Sequence, residues 1–237
     1  MAMSVAENLA RVREQIHTAA RHAGRSPDEI TLVAVSKTFP VQAILEAYAA
    51  GAQDLGENRV EEAGEKIPDA KRQLDGAPLR WHLIGHLQRR KAREAIALFD
   101  MIQSVDTLRL AETLNRHARA ADKIMPVLLQ VNIGSDPQKF GFAPEPRAEF
   151  FEAVEKITAL PGLRVQGLMT IGPLVTTADQ ARPFFRALRE LRDELARRFT
   201  RAQWRELSMG MTDDFAVAIE EGATLVRIGR AIFGQRG

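Results

Sequence analysis

The chain has 237 residues, 45% of them hydrophobic and 27% charged, with 33 basic against 31 acidic side chains. That size and balance suit one globular domain, and a formal charge of +2 lacks the concentrated basic footprint of a nucleic-acid binder. Cysteine is absent, which excludes disulfides, thiolate catalysis and cysteine metal sites.

No apolar run is long enough to span a bilayer, and residues 2–21 form a mixed helical pattern instead of a signal peptide. A cytoplasmic enzyme or cofactor-binding protein is therefore expected. Residues 4–23 read as an amphipathic helix in which Val5, Leu9, Val12 and Ile16 keep a three-to-four spacing, Ser4 is the cap and Gly24 the stop. After a Ser26-Pro27-Asp28 turn, the apolar, β-branched run ITLVAVSK at 30–37 has the pattern of a buried parallel strand. Lys37 closes it, and a helix is predicted over 41–50 with Pro40 in its first turn. A short strand at 54–58, a charged helix at 59–67 and a loop-rich connection from 68 to 78 follow. The third strand covers 79–85 and its helix 87–98; the fourth covers 101–105, with a helix over 106–120 capped by Asp106 or Thr107. The fifth strand, 125–133, leads through a polar loop at 134–141 to a helix over 146–160. The sixth, 163–171, precedes a helix over 177–199 whose arginines, interleaved with acids, read as a solvated face. A strand at 206–211, a helix at 213–221 and a strand at 224–229 complete the pattern.

Strands alternating with helices call for parallel pairing with helical crossovers, and eight such units in roughly 250 residues match a single closed (β/α)8 TIM barrel. An open doubly wound sheet is the alternative. Even unit lengths, and no G-x-G-x-x-G after the first strand, favour the barrel.

A lysine at the end of a buried strand cannot hide in the sheet, because an ammonium buried without a partner is costly. Lys37 thus belongs where the strand opens into a loop, the active face of such a barrel. A second cluster, Ser208-Met209-Gly210 with Arg227-Ile228-Gly229, falls at the ends of the last two strands, the frequent phosphate position. Ser208 offers a hydroxyl, Gly210 and Gly229 permit close backbone approach, and Arg227 brings a fork that matches phosphate oxygens. Alone, either glycine motif is an ordinary turn; together, in these two strands, they favour phosphate. Asp213 and Asp214 would repel an anion and are expected to point away. A phosphate site facing a lysine suggests a ligand with a phosphate and an electrophile. Pyridoxal 5′-phosphate has both and forms a Schiff base with lysine. A sugar phosphate aldolase would use the same pair, so position alone does not choose between them.

Other polar residues read more simply. His82 and His86 are four apart but not on a helix, so they make no metal pair; one of Trp81 and His82 faces the barrel interior, the histidine as a satisfied core residue. Glu57, Glu61 and Glu62 read as helix-start carboxylates, and Met169, Met209 and Met211, near strand ends, as core filling, with packing against a ligand ring as the alternative.

Several motifs in fixed order carry a resemblance: VAVSKT around Lys37, GENRVEE at 56–62, WHLIGHLQRRK at 81–91, GLMTI at 167–171, LSMGMTDDF at 207–215 and VRIGRAIFG at 226–234. Together the chain resembles the pyridoxal phosphate homeostasis protein family, from the N-terminal helix to the last strand. The resemblance implies one alanine racemase-like barrel (PLP fold type III) spanning residues 1–237, with an extra N-terminal helix and no C-terminal β domain. It implies pyridoxal phosphate on Lys37, Asn58 near the cofactor ring, and phosphate contacts from Ser208, Gly210, Arg227 and Gly229. The implied role is to bind and supply the cofactor, and so to affect vitamin B6 balance, with apo-enzymes as possible recipients and no established reaction. Three positions depart from the family pattern. Arg59 stands where an aromatic is common, Arg90 where a small polar residue is common, and Phe140 is larger than usual; the first two bear on ligand access and partner contacts.

Turnover has weak support. Racemization needs acid–base groups on both faces of the cofactor. Tyr48 is the only tyrosine and lies on the helix after the first strand, the chain stops soon after the barrel, and there is no cysteine for decarboxylase-like chemistry. Arg227, if it reaches the pyridine nitrogen, disfavours the pyridinium and weakens the electron sink. A cofactor-holding protein, expected to be a monomer, is the leading reading; a slow amino-acid racemase and a Schiff-base aldolase are the alternatives.

Overall fold

The structure is a computed structural model and describes residues 3–173 and 175–235. Eight short strands form its centre: β1 (Thr31–Val35), β2 (Asp54–Glu57), β3 (Arg80–Leu83), β4 (Met101–Val105), β5 (Met125–Gln130), β6 (Leu163–Met169), β7 (Glu206–Ser208) and β8 (Leu225–Ile228). All pair in parallel in chain order, and β8 closes the barrel on β1 with Thr31 opposite Leu225 and Ala34 opposite Ile228. Except for β4, which matches its expected bounds, the strands are shorter than the apolar runs suggest because the last residues of those runs, Lys37 among them, have already left the ladder.

Helices α1 (Val5–His22), α2 (Val41–Ala49), α3 (Val60–Gln73), α4 (Ala92–Leu98), α5 (Leu108–Ala120), α6 (Arg147–Thr158), α7 (Arg182–Arg198), α8 (Phe215–Glu220) and α9 (Arg230–Phe233) surround it. α1 is an addition to the β/α repeat. Ser4 and Glu7 form a capping box at its start, and Leu9, Val12, Ile16, Ala19 and Ala20 give it a buried stripe against α8 and α9. Asn8 ties it down further by donating to the Ile232 carbonyl at 3.1 Å.

Three local expectations fail for physical reasons, and one short helix goes unforeseen. The stretch after Ile67 is not a loop: α3 runs through Pro68 to Gln73 because Val60, Ala63, Ile67 and Ala70 continue one buried stripe, whose burial offsets the hydrogen bond Pro68 cannot make. Pro40 is the N-cap residue of α2, with extended backbone, and not part of its first turn. The arginines of α7 are not simply solvated. Arg182, Arg186 and Arg189 converge on Glu221, a carboxylate only 5% exposed at the end of α8. Finally, α9, directly after β8, has no signal beyond a few apolar residues.

Residues of the inner face alternate along the strands. A Cβ on Gly56 would meet Val33, Ile84 and Val35, so those four positions point inward around one level. A polar column crosses the barrel as well. Arg80 donates to Asp54 (2.6 Å), Asp54 contacts His82 Nε2 (2.8 Å), His82 Nδ1 contacts Gln103 (3.0 Å), and Ser208 donates to Gln103 Oε1 (2.6 Å). Arg227 then donates to Ser208 Oγ (2.6 Å) and to the Thr170 carbonyl (2.8 Å). Contact between β4 and β7 side chains, on opposite sides of the ring, requires that the column lie inside it. His82 is thus the satisfied core histidine.

Burial opposes charge on Asp54, but the hydrogen bonds from His82 and Arg80 outweigh it and hold the carboxyl below its ordinary value. A lowered folded value means that the stabilization is fully present above the unfolded value, about 4, and is lost as the pH falls through the folded one. Asp54→Asn should therefore flatten the acid limb of a stability–pH curve below about pH 4, measured by urea denaturation. Gly85 lies against the backbone of Asn58, where a Cβ would fall on the Asn58 carbonyl and Cα. Gly85→Ala should destabilize the fold by about 1–3 kcal/mol, seen as a lower urea midpoint at unchanged slope.

Candidate functional site

β1 delivers Lys37 to the rim at the C-terminal ends of the strands, where it is half-buried. It lines two adjoining hollows of about 390 Å³ and 410 Å³, both also lined by Val35, Gly229 and Arg230. The first holds most of the candidate chemistry. Asn58 enters from the end of β2, Ile84, Gly85 and His86 from β3, Ile171 from beyond β6, Met211, Thr212 and Asp213 from the β7–α8 loop, and Arg227 from β8.

Thr38, the residue after Lys37, has φ 70°, a left-handed conformation that is costly for a β-branched side chain. A charged cluster on the outside of the barrel holds this turn. Glu62 accepts from the Thr38 N–H at 2.5 Å, and Lys66 reaches Glu62 (2.5 Å), the Ser36 carbonyl (2.9 Å) and Glu57 (3.2 Å). Glu57 is not a helix-start carboxylate. It is fully buried under the end of β2, accepts from Ser36 Oγ at 2.7 Å, and has its carboxyl pushed up by burial despite Ser36 and Lys66. Glu61 and Glu62 do sit in the first turn of α3.

Arg227 is 5% exposed. It donates to neutral oxygens, the Ser208 hydroxyl and the Thr170 carbonyl, and burial pushes its guanidinium down to about 10, opposed through space by Asp214. A buried cation facing a cavity, with no carboxylate ion-paired to it among the described residues, is a receptor for an acceptor group or an anion. Gly229 suits a close approach: a Cβ there would lie 3.1 Å from the Val35 carbonyl, two residues before Lys37.

The structure thus brings Lys37, Asn58, Arg227 and Gly229 to one cavity. It does not bring Ser208 and Gly210 to that lining. Ser208 is fully buried behind Arg227, its hydroxyl engaged with Gln103 and Arg227. Gly210 has φ 92° and is pressed against α8, where a Cβ would sit 2.6 Å from that of Ala218, so it serves the turn; its carbonyl accepts from the Arg227 N–H. Asp213 and Asp214 do not both point away. Asp213 lines the rim and is neutralized there by Arg230 (2.5 and 2.6 Å). Asp214 is buried, accepts from the Met211 N–H at 2.6 Å, and is pushed up mainly by burial.

Residues that sequence reasoning passed over include Arg230 and Thr212 at the rim, where His86, weighed only as a metal ligand, also lies, and Asp54 and Gln103 below it. A polar Gln103-Ser104 pair in an otherwise apolar strand was the available signal for the latter. His86 Nδ1 lies 2.8 Å from Asp106, and its ring is stacked on Phe140 at 3.6 Å. Arg59 and Arg90 line a smaller cleft of about 220 Å³ that shares Asn58 and His86 with the cavity. Met211 lines the cavity, whereas Met169 and Met209 are fully buried. No group of metal-ligating side chains occurs among the described residues.

The chain is similar to known proteins in both sequence and fold. The sequence profile described as alanine racemase, N-terminal domain, matches residues 8–237. The pyridoxal phosphate homeostasis protein of Aquifex aeolicus is 43% identical over 234 residues, covering 99% of both chains. That of Pseudomonas aeruginosa is 44% identical over 98% of this chain and 96% of its own, and that of Escherichia coli K12 is 41% identical over 98% and 97%. PipY of Synechococcus elongatus PCC7942 superposes with a TM-score of 0.87 without PLP and 0.85 with PLP bound, at 39% and 38% identity, covering 98% of this chain and 100% of that one. Alanine racemase of Clostridium difficile shares the barrel fold, with a TM-score of 0.71 at 15% identity over 97% of this chain and 57% of its own. The chain belongs to the alanine racemase N-terminal domain family and, within it, to the pyridoxal phosphate homeostasis proteins.

Proposed function

We propose that this protein holds pyridoxal 5′-phosphate covalently through Lys37 and serves to store and supply it, with little or no turnover of its own. The observation that carries the reading is the placement of Lys37 and the buried Arg227 on one cavity closed by Gly229. The residues fit the group: an amine at the rim for the aldehyde, and a buried guanidinium that donates to neutral oxygens and can face an acceptor on the ring or phosphate. When bound, pyridoxal phosphate supplies a reactive aldehyde and an aromatic electron sink. Asn58 and Gly229 would border it, and Arg230 adds a second cation at the rim. The full-length relatives named for pyridoxal phosphate homeostasis, and PipY with PLP bound, support this reading.

The low turnover rests on what surrounds the cavity. Tyr48 lies on α2, half-buried against the core, and is not part of the lining. A guanidinium beside the ring weakens the electron sink. Apo-enzymes are the proposed recipients, and the protein is proposed to act as a monomeric single barrel in the cytoplasm. Among the described residues no helix is long and apolar enough to cross a membrane. One observation favours slow racemization as a second reading: His86, paired with Asp106, lines the same cavity as Lys37.

The test is the visible spectrum of purified wild type beside Lys37→Ala, before and after borohydride. A band that borohydride bleaches, absent in the variant, is expected; no band in wild type after adding pyridoxal phosphate would sink the assignment. Arg227→Gln should weaken pyridoxal phosphate binding by about 10–100-fold, as loss of a charge-assisted hydrogen bond worth about 1.5–3 kcal/mol implies, measured by absorbance titration. Deuterium uptake at the α-carbon of alanine in heavy water separates the two readings: none is expected, and uptake that His86→Phe abolishes would favour the racemase.

A further inference from the structure

Arg59 and Arg90, the two arginines that depart from the family pattern, line the small cleft beside the Lys37 cavity, and both are exposed. Arg59 precedes α3 without capping it, and Arg90 engages only its Nε, which donates to Gln88 Oε1 at 2.9 Å. Neither is ion-paired among the described residues, because the carboxylates around them are already taken. Glu61 faces Lys91 (3.4 Å), Lys91 also holds Glu94 (3.3 Å), Glu62 is clamped by Lys66, and Asp106 is held by His86. Two guanidiniums on one cleft with no counterion of their own make a seat for an external carboxylate or phosphate. The size and place of the cleft narrow its occupant. At about 220 Å³ it falls below the roughly 300–1,000 Å³ of a self-sufficient ligand pocket. It shares Asn58 and His86 with the larger cavity, so it is an arm of that cavity and takes one end of a ligand whose remainder lies beside Lys37. Pyridoxal phosphate has a single phosphate, and the residues read for it lie at the ends of β7 and β8, with β1 between them and this cleft. A second anion must arrive with a second reactant. What reacts with an aldehyde is an amine, and an amine that carries a small anion is an amino acid.

We propose that Arg59 and Arg90 form a subsite for the carboxylate of an amino acid whose amine meets the cofactor aldehyde beside Lys37. The proposal rests on the reading that the cavity takes pyridoxal phosphate, and it names the second molecule that joins it there. The exchange balances. The amine nitrogen bonds to the aldehyde carbon, the bond from that carbon to Lys37 Nζ breaks, and the two amine hydrogens end on Nζ. Neither an oxidant nor water is consumed. Lys37 is left as a free amine, so the covalent hold on the cofactor is released in exchange for an amino acid seated in the cleft.

Two stable probes test this, N-(5′-phosphopyridoxyl)-alanine and N-(5′-phosphopyridoxyl)-ethylamine. Each is a secondary amine that cannot react with lysine, and they differ only in the carboxylate. Their affinities for the ligand-free protein are measured by calorimetry in wild type, in the double variant Arg59→Gln/Arg90→Gln and in Arg89→Gln. Arg89 is exposed next to Arg90 but lies outside the cleft lining. Wild type should prefer the alanine compound by about fivefold, as two exposed ion pairs imply, and about 0.5 M salt should shrink that preference. The double variant should lose most of it while binding the ethylamine compound within about twofold of wild type, which also shows that the variant is folded. Arg89→Gln should keep it. Lys37 and Arg230 also attract a carboxylate, but they are the same in every protein compared, so the loss reports the cleft alone. No preference in wild type, or one that survives in the double variant, overturns the proposal. So does an equal loss for both probes, or an equal effect of Arg89→Gln, since either result means a general field and not a seat. If wild type binds pyridoxal phosphate but neither probe, the subsite fails and the functional reading stands. If it binds none of the three, the functional reading itself fails.

Discussion

A guanidinium buried in a barrel dictates much of what surrounds it. Arg227 carries a charge into a place where water cannot solvate it, and its release of a proton is held off by Asp214 acting from a distance. The barrel meets that demand with neutral acceptors: the Thr170 carbonyl at the end of β6 and the Ser208 hydroxyl on β7. Ser208 in turn needs Gln103, Gln103 needs His82, and His82 needs Asp54, which Arg80 joins to the surface. One charge thus accounts for most of the polar side chains inside an otherwise apolar ring, and the part of its field that these partners leave uncompensated faces the cavity.

The architecture was legible because it depends on short-range periodicity. Apolar β-branched runs separated by amphipathic helices are enough to specify eight parallel units, and the capping signals at Ser4 and Thr107 hold in the structure. Lys37, Arg227 and Gly229 could be grouped because all lie at the ends of neighbouring strands, where a barrel must gather them, whereas Asn58 joined them through the family resemblance alone. What resisted was direction. Whether Ser208 points into the cavity or behind Arg227, and whether Asp213 and Asp214 turn away, depends on side-chain partners from distant strands that a local pattern does not encode. Gln103 and Asp54 were overlooked for the same reason: their partners are 105 and 28 residues away in the chain. The continuation of α3 through Pro68 shows the opposite error, in which one strong local signal outweighed a buried stripe that ran on past it.

Outside the ring, a second electrostatic device acts on the backbone. The left-handed turn at Thr38 persists because Glu62 binds its N–H and Lys66 clamps Glu62, Glu57 and the Ser36 carbonyl together. Strain of this kind is concentrated next to the lysine proposed to hold the cofactor, and its compensation lies on α3, a helix whose other face simply covers the barrel.

The seam between β1 and β8 has a consequence for the order in which the protein becomes competent. Lys37 leaves one side of that seam and Gly229 and Arg230 the other, and Gly229 packs directly on Val35. The contacts are nearly the longest in sequence that the chain can make, and such contacts form late because their loop-closure entropy is met only once the ring is complete. During synthesis, seven strands can emerge with Lys37 already present and still offer no second wall for a ligand. Capture of the ligand therefore coincides with closure of the ring. An incomplete or opened barrel would lack the cavity that the proposed ligand needs, so occupancy would itself measure whether the first strand has met the last.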